Sequence, residues 1–403
     1  MIERHNKHII SGNAKVVRNI NRSVILNLIR EKQPISRVKI ARLTNLNKST
    51  VSSIVSSLIS EKLICEQVIQ DKNVGRNPIN LSINSAGHFV GAINIDSYVT
   101  RVSIFGIDGV QKACVRIKSQ PHQPVKFLKN CMQRLAALQE KFAIPHLLGI
   151  GVSVAGIVDP ESATVIYAPK LGWENFDIAA ALGESKIESD ILVIENDAKA
   201  SALAELWFGT HKSTLNDFVF LSVGPGLGTG IVVNQKLIAG EHHTAGEFGH
   251  ITLVEDGERC SCGDRGCWEA YASNGATVKR YLSLTNANER LADAFELPEI
   301  IKLAHSGDAA AVESLQQTGY YLGLGISNII KAIDPNMIIL GGKITAAWEI
   351  IYPEIMRAVE KRAFFGRKKQ INLEKTSLEI PPRLLGAATL AIKEIFSDFR
   401  ITV

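Results

Sequence analysis

Two unlike pieces make up this chain, and the break between them limits what it can fold into. Residues 1–80 hold fourteen Lys and Arg against five Asp and Glu, a net charge of +9, whereas the remainder holds 31 against 35, a net charge of −4. A basic head on a mildly acidic body is the distribution expected when only the head meets a polyanion. At 403 residues the chain is also too long for one ordinary core and predicts two or three domains. Its longest apolar run, 147–158, is broken by Gly149, Gly151 and Gly156. That run falls short of the roughly 20 residues of a membrane span, so no membrane partner is expected. The opening stretch "MIERHNKHIISGNAK" has scattered charges and no apolar centre, unlike a signal peptide. The expected location is the cytoplasm, where clustered cysteines more often hold metal than form disulfides.

Within the head, "NRSVILNLIRE" places Val24, Ile25, Leu28 and Ile29 at helical spacing, and Pro34 ends that helix. Ser36 is a candidate cap for a second helix from Arg37 to about Thr44, with Val38, Ile40, Ala41 and Leu43 apolar. A third begins at Lys48: Val51, Ile54, Val55, Leu58 and Ile59 form its apolar stripe, and Lys48, Ser49, Ser52, Ser53 and Ser56 collect opposite. Serine is a middling helix former, so that face asks for another reason. Small hydroxyls let a helix approach bases and phosphates closely. Helix, short turn and helix match a helix-turn-helix. Val68-Ile69 and Ile79 to Ile83 then read as strands flanking "QDKNVGRNP", a wing exposing Lys72 and Arg76. The candidate DNA-contacting residues are Arg37, Lys48, Ser49, Thr50, Ser52, Ser53 and Arg76. The partner is operator DNA, bound as a homodimer or larger homo-oligomer, because one short helix reads few base pairs.

From about Gly87 the pattern turns to apolar strands, Gly-rich turns and amphipathic helices, which is α/β architecture. "HFVGAINID" and "RVSIFGIDG" read as an antiparallel pair, "LLGIGVSVAGIVD" and "DILVIEND" as buried strands, and "DFVFLSVGPGLGTGIVVNQKLIAG" as a hairpin. "NMIILGG" adds a strand, and "KTSLEIPPRLLGAATLAIKEIF" reads as a strand followed by a closing helix. The strand-rich beginnings near Phe89 and Phe218 hint at two related lobes. Half of the six cysteines lie within eight residues, at Cys260, Cys262 and Cys267, and the first of them follows His250 by ten residues. Three sulfurs and an imidazole make a closed Cys3His set for a structural Zn2+, with Gly263 and Gly266 permitting the tight turns.

These motifs resemble those of the ROK family of bacterial repressors and sugar kinases. "AGEFGHITL" followed by "CSCGDRGCWEAYAS" is similar to its signature, and "ENDAKASALAE", "GPGLGTGI" and "IILGGKI" extend the likeness. A winged head on such a body resembles the repressor branch, with "GCWEAYAS" most similar to its xylose-repressor-like members. The resemblance implies an N-terminal winged helix-turn-helix over 1–85 and a two-lobed, actin-like and hexokinase-like body. Its first lobe would span 86–200, joined by a C-terminal helix at about 384–403. The second, over 201–383, would carry the zinc loop and dimerisation surface. It also implies a small-molecule sugar effector held between the lobes by Asn196, Asp197, Glu247, His250 and Glu269. Carboxylates and amides on adjacent loops can hydrogen-bond several hydroxyls and reject an analogue lacking one.

Family kinases use the residue matching Asp197 as the base on the sugar hydroxyl. They also carry an Asp-x-Gly-Gly-Thr-Lys type loop after the first strand, and here Asp96-Ser97-Tyr98-Val99-Thr100-Arg101 replaces both glycines. The second Gly-rich loop, "GPGLGTGI", is retained, and "SVAGIVD" has Ala155 where kinases usually carry Pro-Gly. The expectation is a sugar-responsive repressor of carbohydrate genes, with xylose or a related aldose as effector and no catalytic residue. A sugar kinase bearing a DNA-binding domain is the alternative. A zinc-responsive regulator fits less well, because a Cys3His site is closed rather than exchangeable.

Overall fold

The structure is a computed structural model that describes residues 14–68, 79–182, 191–212, 215–286, 296–362 and 372–397. The head consists of α1 (Ala14–Lys32), β1 (Ile35–Ser36), α2 (Arg37–Thr44), α3 (Lys48–Ser60), β2 (Ile64–Val68) and β3 (Ile79–Ile83). Ser36 caps α2, its Oγ accepting from the Lys39 amide at 3.3 Å, and Asn45 ends α2 in the left-handed region at φ 56°. Strand β3 pairs antiparallel with both β1 and β2. Ile69, Lys72 and Arg76, expected in the wing, lie outside the described residues.

The head's core is Ile25, Leu26, Ile29, Ile40, Val51, Ile54, Val55 and Leu58, all buried. Val24, Val38 and Leu43 are exposed, contrary to the apolar stripes drawn for α1 and α2, while Leu26 is fully buried. Leu26 belongs to one continuous core with Trp207, Ala388 and Phe396 of the body, so α1 buries two faces rather than one. Periodicity locates an apolar stripe but does not reveal a second packing partner.

The body's first sheet has the order β11-β7-β4-β5-β6, and its second has the order β14-β13-β12-β15-β16. The first comprises β4 (Phe89–Ile95), β5 (Val99–Gly106), β6 (Gln111–Lys118), β7 (Leu147–Val154) and β11 (Leu192–Asn196). Helix α4 (Pro124–Lys141) connects β6 to β7. A separate three-stranded sheet, β8 (Ile157–Asp159), β9 (Thr164–Ala168) and β10 (Trp173–Asp177), precedes the short α5 (Ile178–Leu182). Helix α6 (Asp197–Phe208) leads to the second sheet: β12 (Phe218–Val223), β13 (Leu227–Val233), β14 (Lys236–Leu237), β15 (Met337–Gly341) and β16 (Leu373–Lys375). Between β14 and β15 lie α7 (Glu269–Ala272), α8 (Asn274–Leu284), α9 (Leu297–His305) and α10 (Ala309–Ile333). Helix α11 (Trp348–Arg362) follows β15, and α12 (Pro382–Ser397) closes the described chain.

Both sheets repeat one plan, three antiparallel strands followed by two parallel ones. The last strand of each delivers a helix to the other: α6 leaves the first sheet to pack on β12 and β13, and α12 leaves the second to pack on β4 and β7. The two helices lie against each other. Small residues permit this closeness, because a Cβ on Gly386 would collide with the Ala200 backbone and one on Gly151 with the Ala387 carbonyl. The final strand ends at Lys375, so "KTSLEI" is not the strand its alternation suggested; its Thr376 and Ser377 instead bond Glu205 of α6. Among the described residues no helix is long and apolar enough to cross a membrane.

Candidate functional site

Parallel strands β7 and β11 run in register, and the turn after β11 starts α6 at the edge of the first sheet. Asn196 caps that helix: Oδ1 accepts from the Ala198 and Lys199 amides at 2.9 and 3.1 Å, and Nδ2 donates to the Gly156 carbonyl at 2.9 Å. Most of its bonding capacity is therefore committed, leaving one amide hydrogen. Asp197, buried in the first turn of α6, lies 3.1 Å from Nη1 of Arg383. Behind it, Lys199 is buried and donates to the His243 carbonyl at 2.7 Å.

The second sheet brings the facing groups. Burial lifts the Glu247 carboxyl above its usual range, aided by the charges of Asp197 and Glu269 and opposed by those of His250 and Lys199. Glu269, buried at the start of α7, accepts from Lys170 Nζ at 3.0 Å and Ser261 Oγ at 2.9 Å on Oε1, and from the Leu227 amide at 3.0 Å on Oε2. Burial works against its charge, but the Lys170 ammonium and these donors prevail and hold the carboxyl below its usual range. Lys170 also donates to the Pro225 carbonyl at 3.1 Å, tying the Gly224–Ile231 loop to Glu269.

His250, Cys260, Cys262 and Cys267 converge, with one ligand atom from each within 4.8 Å of all the others. Cys260 Sγ is 3.6 Å from His250 Nδ1, and Cys262 Sγ is 3.7 Å from Cys267 Sγ. A tetrahedral ion of zinc's size, with metal–S of about 2.3 Å and metal–N of about 2.0 Å, requires S···S of about 3.8 Å and S···N of about 3.5 Å. The donor set fits. Gly263 (φ 104°) and Gly266 (φ 76°) make the turns, and a Cβ on Gly266 would collide with the Val254 carbonyl. Trp268 anchors the loop, fully buried and donating from Nε1 to the Tyr321 carbonyl at 2.8 Å. Because Nδ1 faces the sulfurs, the opposite ring nitrogen of His250 is the one available to another ligand.

On the head, Lys48, Ser49, Ser52, Ser53 and Ser56 are exposed along one side of α3, and Thr50 is half-buried. Arg37 is paired with Glu66 Oε1 at 2.6 Å, so its guanidinium is already partly neutralised. Arg383, Lys170 and Ser261 are absent from the residues that sequence motifs single out. Arg383 had a signal: a cation in the first turn of a helix opposes the helix dipole and calls for an acidic partner.

Residues 90–394 match the model of the ROK family. The chain belongs to the ROK family. Among ROK relatives, it is 31% identical over 380 residues to the xylose repressor of Bacillus subtilis (strain 168), covering 93% of this chain and 96% of that protein. It is 28% identical over 381 residues to the DNA-binding transcriptional dual regulator NagC of Escherichia coli (strain K12), covering 91% of each. A solved ROK family transcriptional regulator, a homolog of the E. coli MLC protein, superposes with a TM-score of 0.79 at 25% identity, covering 95% of this chain and 97% of that one. A ROK family glucokinase from Streptomyces griseus, in complex with glucose and AMPPNP, superposes with a TM-score of 0.68 at 27% identity. It covers 76% of this chain and 99% of its own.

Proposed function

We propose that this protein is a sugar-responsive transcriptional repressor of carbohydrate-utilisation genes, with xylose or a related aldose as effector and no kinase activity. One observation carries the reading: a helix-turn-helix with an exposed Lys and Ser face stands in one chain with Asp197 and Glu269, two buried carboxylates each paired with a cation distant in sequence. Likeness to named repressors runs through both parts. The head, 1–85, takes operator DNA through Arg37, Lys48, Ser49, Thr50, Ser52, Ser53 and Arg76. The first lobe, 86–200 with the C-terminal helix, offers Asn196 and Asp197 to the sugar; the second, 201–383, offers Glu247, His250 and Glu269. Zinc on His250, Cys260, Cys262 and Cys267 fixes the loop that carries Glu269 and pins the Nδ1 edge of His250. Two such chains form the operator-binding dimer.

A kinase is the second reading, favoured by Asp197 and by the glucokinase likeness. Against it stands the stretch Asp96-Ser97-Tyr98-Val99-Thr100-Arg101, which lacks both glycines of the kinase phosphate loop and carries the bulky Tyr98 in their place. A thermal-shift panel of pentoses, hexoses and amino sugars should give one clear rise, since a ligand that binds only the folded state stabilises it. The same sugar should change operator affinity without producing ADP from ATP. Sugar-dependent ADP release at ordinary enzyme rates, about 1 to 1000 per second, would replace the repressor by a kinase.

A further inference from the structure

Arg383, in the first turn of α12, joins three other segments of the body. Its Nη1 donates to Asp96 Oδ2 at 3.3 Å and lies 3.1 Å from Asp197 Oδ2. Its Nε and Nη2 donate to Ser222 Oγ at 3.1 and 3.0 Å. Asp96 follows β4, Asp197 follows β11 and Ser222 lies in β12, so one guanidinium spans both sheets. Its tip fills the space over Gly224, where any side chain would collide with it. The Arg383 carbonyl accepts from Ser153 Oγ at 2.9 Å, and Ser153 in turn receives Asn94 Nδ2 at 3.1 Å, which fixes the start of α12 on the first sheet.

The far end of α12 holds the head. The Phe396 carbonyl accepts from Ser23 Oγ at 2.7 Å and Asn27 Nδ2 at 3.3 Å, both on α1. The edge of the Phe396 ring meets Trp207, near the end of α6, and Arg30 of α1 lies 3.9 Å above the Trp207 ring. Helices α6 and α12 therefore start together at the Asp197–Arg383 pair, touch where Gly386 meets Ala200, and finish together on α1. Sixteen residues of α12 span about 24 Å.

We infer that Arg383 is a positioning residue at the head of a two-helix rod that carries the effector signal to the DNA-binding head. This rests on the reading that the effector meets Asp197. Arg383 holds the Asp197 carboxylate in place, and a ligand hydroxyl engaging that carboxylate redistributes its bonds to the guanidinium. Close-packed helices shift as bodies rather than deform, so the first turns of α6 and α12 move relative to each other. The shift reaches α1 through the Phe396 carbonyl, which Ser23 and Asn27 hold.

The test is a double-mutant cycle on the full chain, with a DNA duplex selected by the wild-type protein from a randomised pool. Arg383→Met should change the Kd for that duplex at least fivefold without sugar. Ser23→Ala combined with Asn27→Ala should change it less than threefold, and in that background Arg383→Met should have no further effect. Independent sites this far apart add, so additive effects would overturn the rod. Arg383→Lys, which keeps the charge but not the fork, should give a smaller change in the same direction and serves if the Met variant fails to fold; additivity with Lys overturns the rod equally. In D-xylose, the Ser23→Ala and Asn27→Ala protein should bind sugar within twofold of wild type yet lose the sugar's effect on DNA. If D-xylose, D-glucose and N-acetyl-D-glucosamine all leave wild-type DNA binding unchanged while the cycle is non-additive, the sugar reading fails and the rod stands. A sugar effect in wild type with an additive cycle gives the reverse.

Discussion

At the scale of the residue, Asp197 and Glu269 are each held by a cation distant in sequence, which makes single substitutions informative. Cys262 has its sulfur 3.7 Å from that of Cys267. Cys262→Ser replaces a soft thiolate by a hydroxyl that binds zinc poorly at neutral pH. Protein purified without added zinc should carry about one zinc per chain as wild type and far below that as Cys262→Ser, measured by elemental analysis. A folded wild-type protein free of metal would remove zinc from the scheme. Asp197→Asn keeps the shape of its side chain but loses the charge that pairs with Arg383. Its amide oxygen can still accept from Arg383 and hold the two helices in place, so it should abolish the effect of sugar on operator binding yet leave sugar-free DNA affinity within about threefold, a change under roughly 0.7 kcal/mol. A variant still responding at wild-type sugar concentrations rules this pocket out. The Cys3His cluster was legible at this scale, because its spacing is local, whereas the reading of Asn196 and Asp197 came from family resemblance and the residues alone read as a helix cap. Arg383 and Lys170 were not legible, since their partners lie far away in sequence and only the crossing of α6 and α12 brings Arg383 to Asp197; Ser261, eight residues from Glu269, was not because the zinc-loop turns decide which way its hydroxyl faces.

At the scale of the element, α6 carries its own pH dependence. Glu205, in the helix's last turn, is buried and accepts from the hydroxyls of Thr376 and Ser377. Burial raises its carboxyl above the usual range, against these hydroxyls and the charge of His211. A carboxyl raised in the folded state holds its proton to higher pH than in the unfolded chain. Its contribution is therefore favourable below the unfolded value, about 4.3, and is lost as pH rises through the folded one. Glu205→Gln cannot ionise; its amide oxygen can accept from one of these hydroxyls while its NH2 donates to the other. Its melting temperature relative to wild type should climb as pH rises from 5 to 8; a difference independent of pH would show that Glu205 does not titrate in that way. The ends of α2 and the start of α3 were legible from Ser36, Asn45 and Lys48, because caps and turns are written locally. Strand β16 was misplaced because Leu378 and Ile380 alternate like a strand, whereas Thr376 and Ser377 are drawn out of the sheet to satisfy Glu205.

At the scale of the whole molecule, the two sheets repeat one plan and exchange helices. Each sheet is covered by a helix from the other, so the body is knitted through α6 and α12, and neither of these central helices is free to offer a face to a polyanion. The two-lobe plan was legible as two strand-rich beginnings, but the exchange of helices was not, because no local pattern states which sheet a helix will cover. Lys48 stands exposed at the first position of α3, where the helix dipole disfavours a cation, so its place is best explained by a phosphate from DNA. Removing the cation from one B-DNA phosphate should lower the slope of log K against log salt by about 0.9. The proposed dimer would meet DNA twice, so Lys48→Ala should reduce that slope by about 1.8 and weaken binding similarly across operator variants, because a phosphate carries no base information. Replacing Ser49 or Ser53 should instead leave the salt slope unchanged and relax sequence preference at one base pair in each half-site. The half-sites should lie one helical turn, about 34–36 Å, or a multiple of it apart. Titration of operator duplexes over a series of salt concentrations distinguishes the two classes of residue, and a Lys48→Ala slope equal to that of wild type would move the phosphate-binding cation off α3.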